Sequence, residues 1–302
     1  MRCATESGKI PVKAGKLSGK STGHAHAALK NDPVPVHDTM LQETFLFLPG
    51  VNERTETRLW SCGIRTWDHL LETTAIPGVS RERLSFWKGR VRHAQELVRT
   101  PDGVRALVRQ LGTRHAWRAA REILDEPRYL DIETTEHRGD VTVVGASDGE
   151  CYLALIKGRT LDANGLRRLL AGATCLITFN GSSFDLPILD RRFPAALPDV
   201  PHLDLRHICA QAGLRGGLKR IEEHLGVRRA DALRDVDGTD AILLWYRHAL
   251  GDAHALTQLV EYNSADVLNL ASLLDLVVPA LWRHVRHGAA LPWEPCLARL
   301  DA

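Results

Sequence analysis

Past residue 126 the apolar residues come in short runs, not in long helical stripes. Three of them, 128–133, 141–147 and 151–156, are joined by links containing Gly and Asp, which predicts three short strands in an antiparallel meander. A helix is expected at about 161–171, then a buried strand at 174–179 built on Cys175-Leu176-Ile177-Thr178-Phe179. A second helix, a short strand near 201–205 and mostly helices to about residue 286 complete the pattern. Residues 41–125 read as helical throughout, and the first 40, poor in aromatic and β-branched residues and rich in Gly, Ser, Lys and His, read as a flexible basic tail. The expected order is therefore tail (1–40), small all-α domain (41–125), α/β domain with a mixed sheet and flanking helices (126–290) and C-terminal tail (291–302).

The first strand carries the chemistry. In Tyr129-Leu130-Asp131-Ile132-Glu133-Thr134-Thr135, alternation turns Leu130 and Ile132 to one face and Asp131 and Glu133 to the other. Two carboxylates side by side repel each other unless a positive charge lies between them, and a divalent cation with hard oxygen ligands supplies one. Asp185, in Asn180-Gly181-Ser182-Ser183-Phe184-Asp185, follows the buried strand at 174–179. That places it beyond a strand's carboxyl end, where open α/β sheets hold ligands. Tyr262 and Asp266 lie four apart in an expected helix and so share a face. Taken singly, each has a plain alternative: a solvated strand face, a helix cap, a core tyrosine, a solvated helix charge.

Asp-x-Glu on the first strand, Asn-Gly-x-x-Phe-Asp after an inner strand and Tyr-x-x-x-Asp on a late helix, in that order, resemble the DEDDy 3′–5′ exonucleases of the ribonuclease-H-like superfamily. His202-Leu203-Asp204-Leu205-Arg206 and the run 217–226 are similar to the YprB-like group within it. The resemblance implies a ribonuclease-H-like mixed sheet and exonuclease action on DNA or RNA. It implies two divalent metal ions, Mg²⁺ or Mn²⁺, that activate water and stabilise both attacking and leaving oxygens. On that reading Asp131, Glu133, Asp185 and Asp266 hold the metals and Tyr262 orients the attacking water. Thr134 and Asn180 would touch the terminal nucleotide, and Lys219 or Arg220 a phosphate. An endonuclease on the same fold and a nucleic-acid-binding module with a decayed site are the alternatives. No Gly-x-Gly-x-x-Gly follows a strand, which disfavours a dinucleotide enzyme.

In the helical region, Leu48-Pro49-Gly50-Val51, a helix, then Gly63-Ile64-Arg65-Thr66 and another helix resemble a helix-hairpin-helix element. Gly50 suits the tight turn, and the amides that follow can hold a phosphate oxygen. Asn52 stands where such hairpins usually carry a second glycine; Asn tolerates left-handed backbone. Ile76-Pro77-Gly78-Val79 begins a second copy followed by Arg81, Arg83 and Lys88. Packing alone is the competing reading, with Trp60, Trp67, Phe86 and Trp87 as the core.

Charge changes this picture little. Fourteen basic and ten acidic residues in 41–125 give net +4, and six against three in residues 1–40 give +3. Since the whole chain is +2, the remainder is −5, which suits a basic module beside an acidic metal site. The six cysteines are scattered with no Cys-x-x-Cys, so free thiols in a reducing compartment, here the cytoplasm, are expected. No secretory signal is expected at the start, and no apolar stretch is expected to span a bilayer.

Overall fold

The computed structural model describes residues 40–136, 139–230 and 238–293. Apart from Met40, the expected tail at 1–40 lies outside them, as does the end of the expected tail at 291–302. The chain forms two compact units: one contains residues up to Asp125 together with Pro279–Leu291, and the other contains Glu126–Val278 and resumes at Pro292. Pro279–Leu291 thus joins the helical unit, although the strand-and-helix pattern of the sequence carried the second domain on to residue 290. The reason is Trp282, whose ring meets those of Trp60 and Trp117 edge-on at 6.1 and 6.2 Å.

The first unit comprises α1 (Met40–Glu43), α2 (Glu53–Ser61), α3 (Trp67–Glu72), α4 (Arg81–Leu97), α5 (Pro101–Leu111), a 3-10 turn at Ala116–Ala119 and α6 (Ala120–Ile123). Two turns of one construction precede α2 and α4. In each, a valine N–H donates to the carbonyl three residues back at 3.0 Å, Val51 to Leu48 and Val79 to Ile76. Gly50 (φ 76°) and Gly78 (φ 73°) take the left-handed backbone that makes this possible. The next residues, Asn52 and Ser80, accept from Thr55 N and Arg83 N as N-caps. Asn52 is therefore extended at φ −115° and not left-handed as expected. Trp67, Trp87 and Trp117 are fully buried and Trp60 nearly so, whereas Phe86, an expected core residue, is 54% exposed. A buried ion pair, Arg118 Nη1 to Glu56 Oε2 at 2.6 Å, is completed by Thr44 Oγ1, which donates to Glu56 Oε1 and accepts from Arg118. Leaving either charge unpaired there would cost about 3–5 kcal/mol.

The second unit is a five-stranded sheet with flanking helices. Its strands are β1 (Pro127–Thr134), β2 (Val141–Ser147), β3 (Tyr152–Ile156), β4 (Cys175–Thr178) and β5 (His202–Asp204), in the order β3-β2-β1-β4-β5. The β1-β2-β3 meander is antiparallel, while β4 and β5 join parallel to β1, so the sheet is mixed as expected. Its helices are α7 (Ala163–Leu169), α8 (Asp185–Arg192), α9 (Leu205–Gln211), α10 (Leu218–Leu225), α11 (Gly238–Ala249) and the long α12 (Ala253–His287), which continues into the first unit. Leu130, Ile132, Val144, Ala146 and Leu176 on one sheet face form a core with Leu166, Leu170, Ile188 and Leu189, in which each valine, leucine or isoleucine is worth about 1.5–3 kcal/mol by burial.

By length and composition α12 is apolar enough to cross a bilayer, contrary to the sequence expectation. Here it serves as a core helix: Leu259, Val267, Leu270, Leu273 and Val277 are all buried. Leu291 and Trp293, assigned to a tail on sequence, are buried too, and Trp293 Nε1 donates to Ala212 O at 2.8 Å.

Candidate active site

β1 supplies the first two carboxylates. Leu130 and Ile132 point into the core, and Asp131 and Glu133 take the opposite face. That face is not open water: Glu133 is buried, and Asp131 is only partly exposed. The pairing with β2 slips between Glu133 and Thr134, a bulge that ends the regular alternation at the site. From α12 come Tyr262 and Asp266, both buried and one turn apart. Ligand-capable oxygens of Asp131, Glu133 and Asp266 all lie within 4.8 Å of one another.

Asp185 is the first residue of α8 and is buried. Its Oδ1 accepts from Ile132 N at 3.0 Å, so it lies beside β1 between the two strand acids. The Asp185 carboxylate is thus tied to backbone and stands outside the close triplet, though its charge is felt by Asp131 and Glu133.

Burial and mutual repulsion set the protonation of these groups. Asp131 and Glu133 are held well above the usual carboxylate range, first by burial and then by neighbouring acids. Asp185 is pushed up to about 7 by burial, against the hydrogen bonds it accepts from backbone N–H groups. Asp266 is raised by burial, against the pull of Arg229. Burial, followed by the neighbouring Asp266, Glu133 and Asp131 carboxyls, raises the Tyr262 hydroxyl, so it remains a phenol.

Arg229 joins the site from outside every motif. Gly226 ends α10 in the left-handed conformation, and the chain then returns so that Arg229 becomes buried. Its guanidinium meets Glu222 through Nε and Nη2, the latter at 2.9 Å, and Nη2 also contacts Asp266 Oδ1. The contact with Asp266 is a charge contact without hydrogen-bond geometry, so Oδ1 has no hydrogen-bond partner. No sequence motif marks Arg229; the pairing depends on the tertiary path of the chain after α10.

The other expected contacts are placed as follows. Thr134 Oγ1 donates to Glu136 O at 2.6 Å, which turns its hydroxyl toward its own chain. Asn180 adopts φ 69°; its N–H donates to Asp204 Oδ1 at 2.8 Å and its Oδ1 accepts from Arg206 Nη1 at 2.6 Å. Asp204 also accepts from Ser182 N, so this one carboxylate fixes the loop that leads to Asp185. Lys219 Nζ lies over the Tyr262 ring, 5.3 Å from its centroid, a contact worth about 0.5–1 kcal/mol at an accessible position. Gly50 belongs to the first unit, and a Cβ there would lie 3.7 Å from Arg83 Nη2.

A family model for the ribonuclease H superfamily matches residues 128–278, half of the 302-residue chain. The chain belongs to the ribonuclease H superfamily. The matched span contains β2 to β5, all of β1 but its first residue, and every acid of the site. One solved structure, described as the apo form of a nuclease, is 25% identical, with 59% of this chain and 85% of that chain covered and a TM-score of 0.41. No curated protein matches. Divalent cations are implied by membership of the superfamily, and the residues fit them: three hard carboxylate donors converge, one buried oxygen lacks a hydrogen bond, and the counter-charge that Arg229 brings faces several acids.

The raised carboxylates predict how stability depends on pH when metal is chelated. Their folded values lie above the unfolded values near 4, so the native state holds protons that the unfolded chain has released. Stability then falls as pH rises through the folded values. His202, lowered by burial, works in the opposite sense below about 6.5. The melting temperature in chelator should drop by at least a few degrees between pH 6.5 and 8, and Asp131→Asn should flatten that slope. A level wild-type profile would show that the acids are not held in this state.

Proposed function

We propose that this protein is a metal-dependent 3′–5′ exonuclease acting on DNA or RNA. The observation that carries this reading is the convergence of Asp131, Glu133 and Asp266, with Tyr262 buried one helical turn before Asp266. When bound, Mg²⁺ or Mn²⁺ would activate water and stabilise charge on the reacting phosphate. Asp131, Glu133 and Asp266 would hold the cations, and Asp185, fixed to the β1 backbone, would complete the acidic set. Tyr262 stays protonated and is suited to orienting a water, not to removing its proton. The 3′ polarity is taken from the resemblance of Tyr262-x-x-x-Asp266 to the DEDDy group.

Within the first unit, the paired turns support the reading of a helix-hairpin-helix module for the phosphate backbone. The second turn suits phosphate better than the first, because α4 opens with Arg81, Glu82 and Arg83, whereas α2 opens with Glu53, Arg54 and Glu56, so the opening helical turn carries one surplus cation in α4 and one surplus acid in α2.

The test is a panel of 5′-labelled single- and double-stranded DNA and RNA with Mg²⁺ or Mn²⁺, run beside closed circles of the same sequence. Progressive shortening of the linear strands with the circles intact is expected. Cleavage of the circles would make the protein an endonuclease. Tyr262→Phe should lower turnover about ten- to a hundredfold while leaving Mn²⁺ affinity nearly unchanged, since only the hydroxyl is lost. Loss of metal binding in that variant would assign the tyrosine to structure.

A further inference from the structure

The metal-centre reading leaves one buried side chain without a role. Asn263 has no exposed surface and lies between the two strand acids and β3. Its Nδ2 donates to Asp131 Oδ2 at 2.8 Å and to Glu133 Oε1 at 3.3 Å, and its Oδ1 accepts from the Tyr152 hydroxyl at 2.7 Å. With both carboxyls ionised, as cation capture requires, the amide is held this way round, because an oxygen turned toward two acceptor-only carboxylates would be repelled.

The sheet is shaped around this amide. Gly145 lies opposite Asp131 in the β1–β2 ladder. A Cβ at Gly145 would come within 1.8 Å of Asn263 Oδ1 and 2.8 Å of the Tyr152 hydroxyl oxygen. So β2 omits a side chain where the amide and phenol meet. The amide is also the right kind of donor: it fixes two carboxylates without adding charge, whereas a Lys or Arg there would neutralise them and oppose a cation.

We propose that Asn263 is a positioning residue that aligns Asp131 and Glu133 for cation capture, with Tyr152 locking the orientation of its amide. This rests on the metal-centre reading above. Partners that orient metal ligands are commonly worth about 10–100-fold in metal affinity.

The experiment is calorimetric titration of Mn²⁺ into metal-stripped full-length wild type, Asn263→Ala, Tyr152→Phe and the double variant, well below each melting temperature. Asn263→Ala should bind Mn²⁺ about 10–100-fold more weakly. Tyr152→Phe should bind roughly three- to tenfold more weakly, and the double variant no more weakly than Asn263→Ala, because the phenol acts through the amide. A purely structural asparagine would lower the melting temperature and leave the affinity of the folded protein unchanged, which would overturn the proposal. Should Asn263→Ala fail to fold, wild-type affinity in Tyr152→Phe would overturn it alone. Wild type that binds no Mn²⁺ would refute the metal centre itself and this proposal with it; wild-type binding with unaffected variants would refute only the proposal.

Discussion

Asp131→Asn and Asp266→Asn should each reduce hydrolysis by roughly a thousandfold or more while leaving the fold intact. Metal stabilisation of a transition state is worth several kcal/mol, and each 1.36 kcal/mol is tenfold in rate. Each substitution replaces one of three converging carboxylates by a neutral amide and keeps the side-chain volume. Asp131→Asn should also be no less stable in chelator, because burial and the neighbouring acids already penalise that carboxyl, whereas Asp266→Asn gives up part of the ion pair with Arg229. Steady-state rates with Mn²⁺, together with thermal melts in chelator, check both halves. Near wild-type rates in either variant would place the reaction elsewhere.

Arg229→Met should do the opposite: a large loss of stability in chelator. The guanidinium is the countercharge for two buried carboxylates, Glu222 and Asp266. Asn269 Nδ2 donates to Glu222 Oε1 at 3.1 Å, but a neutral amide does not replace the charge. Removing one member of a buried pair costs about 3–5 kcal/mol, which corresponds to a fall of roughly 10 °C for a chain of this size. A cation at Asp266 then supplies part of the missing charge, so added Mn²⁺ should raise the melting temperature more in the variant than in wild type. A variant that melts within about 2 °C of wild type in chelator would show that the ion pair is not formed.

These two outcomes mark where the sequence could and could not be read. The strands were legible because Leu130-Asp131-Ile132-Glu133 alternates apolar and acidic residues and Cys175-Leu176-Ile177 is an unbroken apolar run. Asp131 and Glu133 follow from that alternation, and Tyr262 with Asp266 from helical spacing. Burial of the acids was not legible: alternation places a residue on a face without saying what covers it, and here Asn263 of α12 reaches over Asp131 and Gly145. Arg229, Tyr152 and the Asn263 amide escaped because their partners are distant in sequence and no short spacing signals them. Trp282 defeated the expected boundary in the same way, since one continuous helix carries side chains for two cores.

The most direct test of the central claim is hydrolysis of a 5′-labelled strand whose 3′-terminal linkage carries sulfur in place of one non-bridging oxygen. Sulfur is a poor ligand for Mg²⁺ and a better one for Mn²⁺. The account predicts stepwise loss of 3′ nucleotides from the all-oxygen strand, a marked slowing of one sulfur diastereomer in Mg²⁺ and recovery of its rate in Mn²⁺. Hydrolysis that persists in chelator, or equal Mg²⁺ rates for the oxygen strand and both sulfur diastereomers, would contradict it.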